Sequence, residues 1–277
     1  MSVIPTISLD ENIQLPQLGL GCYKSLGMEA YQAVLWAIEA GYRHIDTAAL
    51  YHNEEAVGRA LQDCGRPREE FFVVSKLWPT HFSNPEKAFE NTLRQLKLDY
   101  LDGYLLHWPG TDPYLRNKAW EALLNCKERG LIRCPGVSNF MPEHLEELKS
   151  SGILPLLNQI QLNPWYPQKR VTHYCKANNI YISAWGPIFR GRIHEVPLLQ
   201  ELAEKYQKTP AQITLRWHMQ KGWIAIPKSI HQERIRQNAD IFDFILSEED
   251  SAKIDRLETG QPIGGNDPYT YDGAGAL

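Results

Sequence analysis

Alternation is the feature that most restricts this chain. Short apolar strands and amphipathic helices follow one another almost without interruption, and such repetition calls for a parallel sheet covered by helices. Thr6 to Gln17 reads as a hairpin turning at Asp10-Glu11-Asn12. A helical stripe at Ala30, Val34, Ala37 and Ile38 ends at Gly41, a glycine placed to cap it. Strands ending at Asp46, Lys76 and Leu106 are separated by two helices. The first runs from Glu54 to about Asp63 with Asn53 as its cap; the second opens at Asn84-Pro85-Glu86 and turns Phe89, Leu93 and Leu96 inward. The second half repeats the rhythm, with strands near Ile132–Val137, Leu156–Gln161, Ile180–Trp185 and Trp223–Ile226. Helices are expected around Asn117–Arg129, Pro142–Lys149, Val171–Asn178, Pro197–Tyr206, Pro210–Gln220, His231–Ala239 and Glu248–Leu257. About eight such units predict an α/β fold, a (β/α)8 TIM barrel with an N-terminal β-hairpin and extra helices near the C-terminus. No linker or shift of composition divides residues 1–277, so one domain is expected. The glycine- and aspartate-rich stretch from Gly260 is expected to wrap the surface.

Composition narrows the partners. A net charge of -4 with interspersed signs argues against nucleic acid and anionic membranes, and no apolar run is long enough to cross a bilayer. Met1-Ser2-Val3-Ile4-Pro5 lacks the regions of a signal peptide. Five widely spaced cysteines form no CxxC or zinc pattern, which points to reduced thiols in a cytoplasm. No metal site is expected: the nine histidines include no HxH pair on a strand, against a metal-dependent hydrolase.

Polar residues recur where the strands stop. Asp46, Lys76 and His107 each close or follow an apolar strand, and Tyr51 lies five residues past Asp46. At one face of a barrel these groups would share a site. Their chemistry suits carbonyl reduction, in which charge develops on oxygen and a proton donor must stand near it. Tyr51 is the donor; Lys76 is the cation that makes the phenol a better acid, Asp46 keeps Lys76 charged, and His107 orients the substrate oxygen. Each has a plainer alternative alone: a helix cap for Asp46, packing for Tyr51, a solvated head for Lys76, a structural hydrogen bond for His107. Co-occurrence at consecutive strand ends favours the site.

The run Gly41-Tyr42-Arg43-His44-Ile45-Asp46-Thr47-Ala48-Ala49-Leu50-Tyr51-His52-Asn53-Glu54 resembles the signature of the aldo-keto reductase superfamily. So do Ser75-Lys76-Leu77-Trp78, Leu106-His107-Trp108-Pro109, Gly136-Val137-Ser138-Asn139-Phe140 and Ile226-Pro227-Lys228-Ser229. In order and correctly spaced, these cover nearly the whole chain. The overall length and short loops are similar to the bacterial branch that includes 2,5-diketo-gluconate reductases. The resemblance implies a barrel, NADPH, and a tetrad carried by Asp46, Tyr51, Lys76 and His107.

No GxGxxG turn joins a strand to a helix, so a dinucleotide would be held by the loops of the barrel mouth. Ser138, Asn139 and Gln159 offer groups for a nicotinamide carboxamide, and Trp185 offers a flat face for its ring. Trp185 and Gly186 stand where the family more often has tyrosine and serine. Lys228, Ser229 and Arg234 suit a phosphomonoester, while Gln237 and Asn238 can bond an adenine edge; by the family pattern this favours NADPH over NADH. Tyr23, Trp78, His107 and Trp108 match positions that line the substrate cavity in relatives. They make an aromatic pocket for an aldehyde, ketone or dicarbonyl, and the short loops after Trp108 and Trp185 leave its roof open. Arg190 and Arg192 read as solvated surface. The expected protein is a reductase acting on a small carbonyl compound, a monomer or weak oligomer. The alternative is a cofactor-binding regulatory or structural barrel without significant turnover.

Overall fold

The computed structural model describes residues 3–149 and 152–275. Strands β1 (Thr6–Ser8) and β2 (Gln14–Pro16) pair antiparallel, with Asp10 Oδ1 accepting the Asn12 N–H at 2.8 Å in the turn. The barrel begins at β3 (Leu20–Gly21), followed by α1 (Gly27–Glu39), β4 (His44–Asp46), α2 (Glu54–Asp63), β5 (Phe72–Leu77), α3 (Pro85–Leu96) and β6 (Leu101–Leu106). It continues with α4 (Pro113–Glu128), β7 (Ile132–Ser138), α5 (Pro142–Lys149), β8 (Leu157–Gln161), α6 (Lys169–Ala177) and β9 (Tyr181–Trp185). Helices α7 (Pro197–Tyr206) and α8 (Pro210–Gln220) precede β10 (Ile224–Ile226), and α9 (Gln232–Ala239) and α10 (Glu248–Asp255) follow it.

Strands β3 to β10 form one sheet of eight in sequential, parallel order. Parallel bridges Leu18↔Ala225 and Gly21↔Lys228 join its two ends. Gly21 permits this closure, because a Cβ there would lie 2.8 Å from the Ile226 carbonyl oxygen. The hairpin covers the opposite end of the barrel: Leu9, Ile13 and Leu15 pack with Phe72, Val74, Leu105, Cys134, Leu157 and Ile224. The strands β5, β6 and β8 are buried along their whole lengths, as both faces of a barrel wall require.

Four expectations are corrected. The first barrel strand, β3, is only two residues long and carries no periodic signal. Helix α4 starts a turn earlier than Asn117, because Asp112 accepts the Tyr114 and Leu115 N–H groups at 2.9 and 3.2 Å with Pro113 at the first position. Asn53 occupies the position before α2, but its side chain caps nothing; it is used elsewhere. The segment after Gly260 does not simply coat the surface. It crosses the barrel mouth, where Gln161 Nε2 donates to Ile263 O at 3.2 Å and Trp78 Nε1 to Gly273 O at 3.0 Å.

Candidate active site

Successive strand ends bring the four reactive residues together at the carboxyl face. Asp46 closes β4, Lys76 lies one residue before the end of β5, and His107 follows β6 directly. Tyr51 arrives on the short turn between β4 and α2. Lys76 Nζ donates to Asp46 Oδ1 at 2.6 Å and to the Thr47 carbonyl oxygen at 2.8 Å. The Tyr51 hydroxyl stands 3.5 Å from Lys76 Nζ and 3.5 Å from His107 Nε2. Asp46 Oδ2 accepts from Gln159 Nε2 at 2.7 Å, so the carboxylate is held at both oxygens. The phenol, by contrast, has only two contacts at the limit of hydrogen bonding.

Electrostatics departs from expectation at the phenol. Burial, with the Asp46 charge adding to it, pushes the Tyr51 hydroxyl well above the usual phenol range. Lys76 does not overcome this. Burial also pulls the Lys76 ammonium below its ordinary value, while Asp46 opposes that fall. His107 is driven well below the usual imidazole value by burial and by the Lys76 charge, so its ring is neutral at pH 7. The cofactor-free site therefore holds a protonated phenol beside a neutral imidazole. His107 Nδ1 has no hydrogen-bond partner.

Asn53 is the residue whose use the sequence did not disclose. Its Oδ1 accepts the Thr47 hydroxyl, and its Nδ2 donates to the Cys22 and Ser25 carbonyl oxygens, each at 2.8 Å. One buried amide thus ties the turn carrying Tyr51 to the loop carrying Tyr23, whose rings meet at 5.1 Å.

Among the polar groups expected to meet a dinucleotide, Ser138 donates to the Gln159 carbonyl oxygen at 2.8 Å. Asn139 Nδ2 donates to His107 O and Ser138 Oγ, and Asn139 Oδ1 accepts from Trp185 Nε1 at 2.8 Å. Both N–H groups of Asn139 are therefore used inside the protein, leaving one lone pair on its oxygen. Gln159 keeps its own side-chain oxygen without a protein partner among the described residues. These acceptors fit the N–H groups of a carboxamide. Past β10, Lys228 and Arg234 are exposed without acidic partners, and Asn238 is buried beside them on α9. Unpaired cations next to a buried amide fit a phosphate with an adenine edge. Ser229 Oγ accepts the His231 N–H at 3.1 Å, and Gln237 Nε2 turns to Glu233 at 3.0 Å, along the helix rather than toward a base.

The pocket walls are aromatic, and the roof is not open. Trp78 meets His107 edge-on at 4.9 Å, and Tyr271 from the C-terminal segment packs on Trp78 and Trp108 at 5.8 and 5.2 Å. A hollow of about 350 Å³ remains between Trp108, Asn139, Gln161, Trp185 and residues 262–268. Arg190 is also misread as mere surface, since its guanidinium lies over Trp185 and Tyr23 at the mouth.

The aldo/keto reductase family model matches residues 18–259. The chain belongs to the aldo/keto reductase family. It is 45% identical over 269 residues to a glyoxal reductase of Bacillus subtilis (strain 168), covering 96% of this chain and 97% of that one. It is 42% identical over 274 residues to methylglyoxal reductase DkgA of Yersinia pestis, with 98% and 99% covered. Among solved structures, a mutant of Gox0644 in complex with NADPH superposes with a TM-score of 0.92 at 36% identity, covering 98% of this chain and 99% of that one. This aldo/keto reductase thus keeps the expected barrel and hairpin, and its long-range match extends through both ends of the sheet.

Proposed function

We propose that the protein is an NADPH-dependent carbonyl reductase in which Tyr51 protonates the oxygen of an aldehyde, ketone or dicarbonyl. The observation that carries this reading is the convergence of the Tyr51 hydroxyl, Lys76 Nζ and His107 Nε2 within 3.5 Å at one barrel mouth. The bound dinucleotide supplies hydride. Every other requirement falls to the chain's own side chains. Neutral His107 offers a hydrogen bond that sets the angle of the carbonyl oxygen and stabilises the negative charge developing there. The raised pKa of Tyr51 keeps its proton in place until that oxygen becomes a strong base. Lys76, held by Asp46 and the Thr47 carbonyl, then stabilises the phenolate left behind. Trp78, Trp108 and Tyr271 exclude water from the reacting atoms.

Gln159 and Asn139 orient the carboxamide, Trp185 takes the ring, and Lys228, Ser229, Arg234 and Asn238 hold the adenosine end with its additional phosphate. The small aromatic pocket, together with relatives named for glyoxal and methylglyoxal, favours short aldehydes and dicarbonyls as substrates. We read residues 1–277 as one functional unit, working in the cytoplasm as a monomer or weak oligomer without nucleic acid. No described helix is long and apolar enough to cross a membrane.

The test is Tyr51→Phe. Its methylglyoxal-dependent oxidation of NADPH falls at least about a hundredfold, the usual scale of a general acid, while the Kd for NADPH stays within about twofold. Turnover close to wild type would remove Tyr51 as the donor.

A further inference from the structure

Arg190 is the one cation at the mouth for which the reaction gives no task. Its guanidinium carbon lies 5.1 Å from the centre of the Trp185 ring and 5.8 Å from that of Tyr23, both inside the range of about 6 Å for cation–π attraction. It has no acidic partner among the described residues, whereas nearby Arg192 pairs with Glu195 at 2.7 Å. The backbone aims it there. Phe189 and Arg190 are both left-handed, with φ of 58° and 50°, a conformation that side chains with a Cβ adopt only where their surroundings enforce it. The enforcing contact is Phe189, fully buried and edge-on to Trp165 at 4.8 Å. A second cation without an acid approaches from the opposite loop. Lys24, also left-handed at φ 55°, sets its ammonium 5.5 Å over the same Tyr23 ring. Two unpaired cations gathered on one ring describe a seat for an anion.

We infer that Arg190 binds the diphosphate of the dinucleotide, and that its place on Trp185 is a resting position it leaves on binding. This rests on the reading of Trp185 as the platform for the nicotinamide. One ring face cannot hold a guanidinium and a pyridine together, so the dinucleotide must displace Arg190. The displaced group then finds two phosphates within the same ligand, and paired charge-assisted bonds outweigh a single exposed cation–π contact. Gly186, Pro187, Ile188 and Phe189 supply no side-chain donor, so Arg190 is the first residue of this turn able to meet an anion. The additional phosphate of NADPH belongs to Lys228 and Arg234, past a different strand. Loss of Arg190 therefore affects NADPH and NADH alike.

The experiment titrates each nucleotide into wild type, Arg190→Ala and Arg190→Lys, following quenching of tryptophan emission, with melting temperature as the check on folding. Arg190→Ala raises the Kd of both nucleotides about tenfold, a factor equivalent to about 1.4 kcal/mol. Arg190→Lys recovers part of the loss, and high salt narrows the gap between variants because the contact is exposed. At saturating NADPH, Arg190→Ala still reduces an uncharged aldehyde. Unchanged or tighter binding in Arg190→Ala would mean that the guanidinium merely obstructs Trp185. A loss confined to NADPH would assign it to the additional phosphate. Either result overturns the inference while leaving the reductase reading intact; wild-type protein that bound neither nucleotide would end both.

Discussion

Each end of the barrel buries a carboxylate on a strand, and the two are treated differently. At the end under the hairpin, Asp102 of β6 is fully buried. It accepts from Arg68 Nη2 at 2.7 Å, Arg133 Nη1 at 2.8 Å and the Val73 N–H at 3.0 Å. At the mouth, Asp46 is nearly as buried and accepts from Lys76 and Gln159. The first set ends there: both arginines also bond backbone carbonyls, at Phe71, Tyr100 and Asn12. The second passes its charge on to a phenol with only marginal contacts, a histidine nitrogen with none, and an open amide oxygen. A cluster that satisfies itself fastens the fold, whereas unused hydrogen-bonding capacity is kept for a visitor. Size does not make this distinction. The larger hollow, about 530 Å³, lies at the hairpin end among Arg43, Glu70 and Arg133, whose charges are already paired.

Breaking the mouth pair has the largest expected effect. Lys76→Met removes the charge that would stabilise the phenolate, and turnover falls by about 10²–10⁴, the range for a proton-transfer partner. It also strands Asp46 in the interior, at a cost of about 3 kcal/mol or more. The double variant Asp46→Asn with Lys76→Met relieves the stranded charge. Its melting temperature returns toward wild type while its activity stays lost. If the double variant regained turnover, the pair would be a structural fastening like the one at the other end.

Asp102→Asn sharpens the comparison from the other side. It weakens both arginine pairs and costs about 3 kcal/mol at the lower end for a buried ion cluster, or a fall of several degrees in Tm for a chain of this size, on the scale of about 2–4 °C per kcal/mol. The kcat and the Kd for NADPH of the folded fraction remain within about twofold. A large loss of kcat without loss of Tm would place Asp102 in communication with the mouth and erase the contrast.

The two ends also differ in how far they were legible in the sequence. Asp46, Lys76 and His107 were found because strand periodicity sets where each strand stops, and a closed parallel barrel gathers all its strand ends at one rim. Nothing local in the sequence says that Asp102 will meet Arg68 and Arg133, because those partners come from a turn and another strand. The first barrel strand was invisible, since Leu20-Gly21 is too short to show a period. Tyr271 and Gly273 were missed as roof residues because an aperiodic tail carries no signal of where it folds back. Arg190 was missed because its aim depends on two non-glycine residues at positive φ, a conformation that composition argues against.

The smallest effects are in pH dependence, where the ends separate again. At the mouth, burial raises Tyr51 well above the phenol range, and burial with Lys76 holds His107 well below the imidazole range. Neither group changes protonation between about pH 6.5 and 10, the interval bounded by their ordinary values. The kcat/KM for an uncharged aldehyde is therefore level across that interval, since it reports the groups of the free enzyme. An inflection between pH 7 and 9 that disappears in Tyr51→Phe would show that Lys76 does lower the phenol, against the balance found here. Stability responds instead to histidines outside the reaction. Burial lowers His44, His144 and His218 to about 4. Below their unfolded value of about 6.5, the unfolded chain binds protons that the folded protein refuses, so stability declines as pH falls from about 6.5 toward 4, by at most about 1.4 kcal/mol per pH unit for each group. Tm measured at pH 7 and pH 5 should show that decline equally in wild type and in Tyr51→Phe. His44 lies beneath the barrel, with its Nδ1 3.3 Å from the Pro16 carbonyl oxygen, so replacing it with glutamine reduces the acid sensitivity of Tm without altering the level rate profile at the mouth.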